Sequence, residues 1–525
     1  MENVLELNQN INLAEKIEIN FAREVQNDIV LPDYCDDINR IIRVDAKPIV
    51  KNKYANKDVA RINGIIAATV IYISEPYKQL KSFSFVNDFD YSMDMPGIMP
   101  NFNMTVQVEI GELNCRLLNP RKLTTRIEMG ISIRSSENKP VFENLNLYAY
   151  DNDNDNYNDN DTAKDGLKIE KLKQNFENCN VLTGENEVKV EENITLTDEP
   201  AASEIIYADV NIIIDDIKPL YNKAVVKFTA EVKCMYSTAE DKTEYEKIVR
   251  KIPSTQIIDV DNLDENYDCT VKANLSSLKT DIDIDPYGEN KIINVDFMVQ
   301  LELNAFKNTE HEIVIDAYCP KYESSMQNEN ITSQKYKGIF RENQDVEDGI
   351  VLEDTAIESV IDVSGVVVIN NTAVNESIIT VNSSAEVSVM VKSSDGEIQN
   401  LDCSIPIKSD INAGEKIVNG TVDTSAQILE CTAIIESGSL TVKLKICYEC
   451  VVFKNNNYNI IKTFVIETDK PKNTKKDVQM VIYYPGKGEN LWNIAKKYDS
   501  EMSKIMKYNK CENNIDDRKI IMIPL

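Results

Sequence analysis

The 525-residue sequence predicts a mainly β protein: three tandem β-rich domains, each a sandwich or a partly open barrel, followed by a small α+β module of βααβ order. Three observations predict it. Most apolar stretches alternate with polar residues at period two and are rich in Val, Ile, Thr and Tyr, the pattern of a half-buried strand. Similar segments recur at a period of roughly 160 residues, a domain-sized interval and too long for a solenoid. Only in the last fifty or so residues does the apolar period change to that of a helix.

The repeat is legible in its openings, Ile29-Val-Leu-Pro-Asp33, Ile194-Thr-Leu-Thr-Asp198 and Ile350-Val-Leu-Glu-Asp354. A β-branched stretch follows each, at 38–44, 205–210 and 357–363. The clearest strand comes next: Val226, Phe228, Ala230, Val232, Cys234 and Tyr236 share one face, with Lys227, Thr229, Glu231 and Lys233 on the other. Ala385-Glu-Val-Ser-Val-Met-Val391 answers it in the third copy, and Ala68-Thr-Val-Ile-Tyr-Ile73 in the first. Further strands close the copies near 123–133, 292–303 and 440–453. The expected domains are therefore 1–150, 167–325 and 326–468, with strand order left open.

Two stretches read as linkers. Residues 151–161, alternating Asp and Asn, offer almost no apolar surface to offset the entropy of ordering them. A calcium loop would need Gly where Asn156 stands and Glu where Thr162 stands, so 151–166 is expected to be a tether. The second linker, 469–478, is polar and contains Pro471.

Composition excludes several functions. Acidic residues outnumber basic ones 87 to 57, and a formal charge of −30 repels nucleic acid and anionic lipid. The first residues lack the basic and apolar parts of a secretory signal, and no apolar run is long enough to span a bilayer, so a cytosolic, soluble chain is expected. Eleven scattered cysteines suit reduced core residues better than a disulfide framework. His311 is the only histidine and cannot build a multi-histidine metal site. Cys447 and Cys450 have a metal-like spacing, but on one strand their side chains point to opposite faces. Acidic pairs such as Asp36-Asp37 and Asp215-Asp216 read as solvated surface in so acidic a chain. No phosphate loop, nucleophile elbow or zinc-protease motif is present, so no enzyme activity, cofactor or metal is expected.

In the last segment, Gln479–Tyr484 reads as a strand, Pro485-Gly-Lys-Gly488 as a turn, and Glu489 or Asn490 as the cap of a helix through Tyr498. Leu491, Ile494, Ala495 and Tyr498 form one stripe of that helix. Ser500 or Ser503 is expected to cap a second helix containing Met502, Ile505, Met506 and Tyr508, and 520–524 closes the module as a strand. Trp492, the only tryptophan, lies one step off the stripe, either as a packing residue at the rim or as an exposed anchor for a partner. Eight basic against six acidic residues from Gln479 onward make the module about +2, suiting an acidic partner surface.

Lys487-Gly-Glu-Asn-Leu-Trp-Asn-Ile-Ala-Lys-Lys-Tyr498 and Lys519-Ile-Ile-Met-Ile-Pro524 resemble the LysM domain, whose members commonly bind N-acetylglucosamine-containing glycans without catalysis. Lys487 and Asn490 depart from the family's usual Pro and Thr, and Tyr508-Asn-Lys-Cys511 lacks its usual Asn-Pro. With the three β repeats, the chain is similar to the SipL-like spore coat morphogenetic proteins, which carry SPOCS (DUF3794) domains and a terminal LysM. The resemblance implies a non-enzymatic coat scaffold in the mother-cell cytoplasm, at the forespore surface. Its LysM would bind the coat-basement ATPase, stage IV sporulation protein A, alongside other coat proteins; the alternative is a wall protein that binds peptidoglycan or cortex glycan. The partner-binding residues would be Tyr484, Lys487, Gly488, Glu489, Asn490, Trp492, Lys496, Tyr508 and Asn509.

Overall fold

The computed structural model describes residues 12–75, 77–100, 103–140, 169–350, 357–436, 439–472, 479–486, 488–510 and 520–525. The Asp/Asn run at 151–161 lies outside them, as do 351–354 of the third opening segment and Lys487.

Strand pairing sorts the described chain into three units of six strands and one small module. The first unit comprises β1 (Asn12–Val30), β2 (Ile38–Asn56), β3 (Val59–Ser74), β4 (Leu80–Asp94), β5 (Asn103–Asn119) and β6 (Lys122–Pro140). In the second, β7 (Glu170–Thr195), β8 (Ala202–Leu220), β9 (Lys223–Thr238), β10 (Tyr245–Asp259), β11 (Asp268–Asp283) and β12 (Ile292–Tyr318) follow in the same order. The third holds β13 (Tyr322–Ile350), β14 (Ile357–Asn375), β15 (Ile378–Ser393), β16 (Ile398–Asn412), β17 (Gly420–Glu436) and β18 (Ser439–Pro471). Each unit has two antiparallel sheets: strands two, three and four form a meander, and the sixth strand runs between the first and fifth. The two sheets face each other, which makes each unit a sandwich, and β2 lies against β5, β8 against β11, and β14 against β17 along one side.

Alternation on the central strands builds the cores. On β9, Ala224, Val226, Phe228, Ala230, Val232, Cys234 and Tyr236 are buried, and they meet Ile293, Val295, Phe297, Val299, Leu301 and Leu303 of β12. β15 and β18 repeat the arrangement with Ile379, Val381, Ala385, Val387 and Val389 facing Leu440, Val442, Leu444, Ile446 and Tyr448. Each Val, Leu, Ile or Phe among them contributes about 1.5–3 kcal/mol when fully buried, so these stripes set the register of the sheets.

Corresponding strands in the three units also carry matching irregularities. β2, β8 and β14 begin at 38, 202 and 357, steps of 164 and 155 residues, and each is interrupted by bulges at three corresponding places. At the third bulge of β2 the backbone of Gly64 approaches so closely that an added Cβ would lie 2.1 Å from the Ile49 carbonyl oxygen and 2.7 Å from the Phe89 ring. Gly64→Ala is accordingly expected to cost about 1–3 kcal/mol. Thermal unfolding reads this as a lowered Tm, and an unchanged Tm would contradict the close approach.

The sequence readings miss one feature of this fold. β7, β12, β13 and β18 run well beyond their sandwiches, and the overhangs pair as two ribbons, 170–182 with 305–318 and 322–335 with 454–471. The ribbons pack on each other through Phe176, Ile313, Ile331, Tyr458 and Ile460, and farther out through Val314, Ala317, Ile461, Phe464 and Ile466. Because β18 continues to Pro471, the first residues of the stretch read as a linker from 469 are strand. No described helix is long and apolar enough to cross a membrane.

Candidate binding module and its seat

The terminal module has β19 (Met480–Tyr483), α1 (Leu491–Lys497), α2 (Met502–Asn509) and β20 (Ile521–Pro524), with the two strands antiparallel. Leu491, Ile494 and Ala495 of α1, Ile505 of α2, and Ile521 and Ile523 of β20 form its core. Asn490 caps α1 by accepting the Asn493 backbone N–H at 2.8 Å. The second cap differs from expectation: Glu501 stands at the N-cap of α2, its side chain paired with Lys504 at 2.7 Å and not bonded to the helix N–H groups. Ser500 is instead buried, with its hydroxyl on the Pro524 carbonyl and its own carbonyl accepting from Tyr318, so it joins the helices to β20 and to the ribbon.

Most of the sequence-predicted partner residues are committed inside the chain. Trp492 is only 3 % exposed. Its indole N–H donates to Asp316 Oδ2 at 2.7 Å, and Lys496 Nζ contacts Asp316 Oδ1 at 2.7 Å. The ring also meets Tyr318 edge-on at 5.0 Å, while the Tyr318 hydroxyl donates to the Ser500 carbonyl at 2.7 Å. Lys472 completes the seat, reaching the Cys319 carbonyl at 3.2 Å and Asp499 at 2.6 Å. Asp316 and Tyr318 belong to the far end of the β7/β12 ribbon and Cys319 follows it, so α1 rests on the ribbon and shares its core with Tyr318 and Leu172. Of the two sequence readings of Trp492, the packing one describes its place. Asp316 has no sequence signal, since one acid among many on a strand carries no mark of its partner.

The loop residues divide similarly. Glu489 accepts the Gly486 N–H at 2.8 Å and the Tyr483 hydroxyl at 2.9 Å, and these hydrogen bonds, Gly486 first, hold its carboxyl below the ordinary range. Asn509 clamps β20 through the Met522 N–H and carbonyl at 2.7 and 2.6 Å. Gly488 supplies a turn at φ +82°. Tyr484 and Tyr508 remain outward, 71 % and 54 % exposed. Beside Tyr484 the outer face of the β19–β20 pair shows Ile482, Ile520 and Met522, all exposed, with Ile482 directly opposite Met522.

A concavity of about 900 Å³ lies between the three units and is lined by Lys53, Glu185, Lys272, Glu302, Arg341 and Glu449 among others. Its charges answer one another: Lys53 meets Glu302 at 3.1 Å and Arg341 meets Glu449 at 2.6 Å. Burial, with the positive charge of Arg134, lowers the Lys272 ammonium pKa, and its Nζ lies 3.5 Å from Gln107. Cys269 and Cys447 also line the space. Burial pushes the Cys269 thiol up to about 12, so it is not a thiolate nucleophile. Cys450 points the other way from Cys447, into the β18 core. His311 is exposed on β12, and no metal-binding cluster occurs among the described residues.

Comparison with known families locates both kinds of segment. Residues 37–118 and 201–283 match the SipL, SPOCS domain family, and 486–523 match the LysM domain family. The SPOCS matches span β2–β5 and β8–β11; β14–β17 occupy the same places in the third unit, with the same order and bulges. Both families are non-catalytic. Neither a curated protein nor a solved structure matches the chain.

Proposed function

From a sporulation-related chain that joins two SipL-type SPOCS segments to a LysM domain, a glycan-binding type, we propose a non-enzymatic spore coat morphogenetic scaffold. It works in the mother-cell cytoplasm at the forespore surface. The three β units, read as SPOCS-like domains over 1–150, 167–325 and 326–468, hold other coat proteins. The LysM, 479–525, grips the coat-basement ATPase, stage IV sporulation protein A. The co-occurrence of the two domain types in one chain carries this reading.

Seating of the module directs the grip. With α1 turned onto the ribbon and Asn509 and Glu489 engaged within the module, the surface offered to a partner is the apolar strip of Ile482, Tyr484, Ile520 and Met522; Tyr508 of α2 is exposed as well. Exposed aromatic and aliphatic side chains in a contiguous strip suit a protein surface. A glycan reading remains the alternative, because the domain type is one that binds N-acetylglucosamine polymers.

Tyr484→Glu in the full chain is expected to weaken capture on immobilised basement ATPase at least tenfold, since an interface aromatic commonly contributes about 2 kcal/mol or more. Both changed positions of a control, Lys189→Gln with Lys227→Gln, lie on exposed strand faces of the second unit and leave capture unaltered. Unchanged capture by Tyr484→Glu would remove the strip from the interface.

A further inference from the structure

The three units do not merely follow one another; they close around a shared junction. The 164- and 155-residue steps make Ile42, Ile206 and Ile361 equivalent, likewise Ile71, Met235 and Met390. Leu80, Tyr245 and Ile398 are the first residues of β4, β10 and β16. All nine of these side chains fall in one hydrophobic cluster, to which each unit therefore gives the same three positions. Such convergence of equivalent residues describes an approximate threefold axis. The first two layers hold only Ile and Met, so by themselves they do little to distinguish one unit from another; in the third, Tyr245 adds a hydroxyl that accepts the Leu80 N–H at 2.7 Å.

One layer is not alike. Just past the second bulge of β2, β8 and β14 the equivalent residues are Arg43, Tyr207 and Asp362, and all three are buried. Arg43 Nη1 meets Asp362 Oδ2 at 2.9 Å, and its guanidinium lies 4.7 Å from the centre of the Tyr207 ring. Lys233 of β9 joins them, 3.0 Å from Asp362 Oδ1 and 5.5 Å from the Tyr207 ring centre. A buried pair of this kind adds little net stability over apolar residues of similar size, but each charge is costly without its counterpart. A unit in the wrong seat would bury Asp362 without Arg43 and Lys233, or leave the Arg43 guanidinium with only Asp45 of its own strand, 2.9 Å away.

We infer that the Arg43–Tyr207–Asp362 layer is a recognition lock between the units: it fixes which unit takes which of three near-equivalent seats and confines closure to one copy of each. The partner each face fits is a specific other unit of this same protein. Without the lock, the alike apolar layers accept any unit in any seat, including a unit of the wrong kind from a second chain, so that closure joins chains into mixed oligomers.

Refolding of the full chain from denaturant over a range of concentrations, followed by light scattering on a sizing column, tests this. Arg43→Met/Lys233→Met/Asp362→Met is expected to regain native-like β circular dichroism. It should also yield dimers and larger species in a proportion that rises with refolding concentration, whereas the unaltered chain returns to its starting species. Met235→Ala, which weakens an apolar layer and keeps the lock, is expected to lower Tm and still return to that single species. If the triple variant does not fold, Asp362→Asn is read in the same assay with the same expectation of mixed species. A single species from whichever variant is read, or mixed species from Met235→Ala, would overturn the lock.

Discussion

Asp316→Arg is expected to release the LysM module from its ribbon and shift the emission of Trp492 to the red. Asp316 alone accepts the Trp492 indole N–H and pairs with Lys496, both at 2.7 Å. Hydrogen bonds to a charged group are each worth about 1.5–3 kcal/mol, and an arginine would also repel Lys496. Losing about 3 kcal/mol shifts the docking equilibrium roughly a hundredfold. Trp492 is the chain's only tryptophan, so its emission reports this contact without background. Fluorescence spectra of the folded variant read the shift, and cleavage by a protease between 472 and 479 should accelerate with them. An unchanged spectrum in a folded variant would mean that the module is held by other contacts.

A larger loss of stability is expected from Asp362→Ala. Its carboxylate, wholly buried, answers Arg43 at 2.9 Å and Lys233 at 3.0 Å. Removing one member of such a group leaves buried charge uncompensated, at a cost of about 3–5 kcal/mol. The same contact sets a pH dependence. Burial alone would raise the Asp362 pKa, but the Lys233 ammonium and the Arg43 guanidinium outweigh it and hold the pKa below its ordinary value. A carboxylate depressed in the folded state stabilises above its unfolded pKa of about 4 and loses that contribution as pH falls through the folded value. Asp45, hydrogen-bonded to Arg43, acts in the opposite sense, because burial raises its carboxyl despite that partner. Thermal unfolding from pH 7 to pH 2 should therefore show the gap between the unaltered chain and Asp362→Ala narrowing only below about pH 4. A gap that is constant across that range would contradict a charged Asp362.

Strand content and the repeat were legible because both rest on local alternation. The face of β9 from Val226 to Tyr236 reads directly from residue order, and every one of those side chains is buried. The segments 29–33 and 194–198, which resemble domain openings in sequence, are the exits of β1 and β7. Pairing of the first strand with the last, as in β7 with β12, joins residues 97 to 148 positions apart, and no local pattern encodes it. The ribbons were missed for the same reason, since Phe176 and Tyr458 signal each other only in three dimensions. Within the module, the helices and the Asn490 cap follow from spacing. The fate of Trp492 did not, because its acceptor Asp316 lies 176 residues away on another element. At the junction, Arg43, Tyr207 and Asp362 look unrelated in sequence, and only the shared bulges make them equivalent.

The most direct measurement is a calorimetric titration of the full chain against the purified basement ATPase and, in parallel, against N-acetylglucosamine oligomers. The proposed scaffold binds the ATPase at micromolar concentration or tighter, about −8 kcal/mol or better, and shows far weaker heat with the sugar. Saturable binding of the oligomers with none to the ATPase would contradict it, and would assign the module to glycan instead.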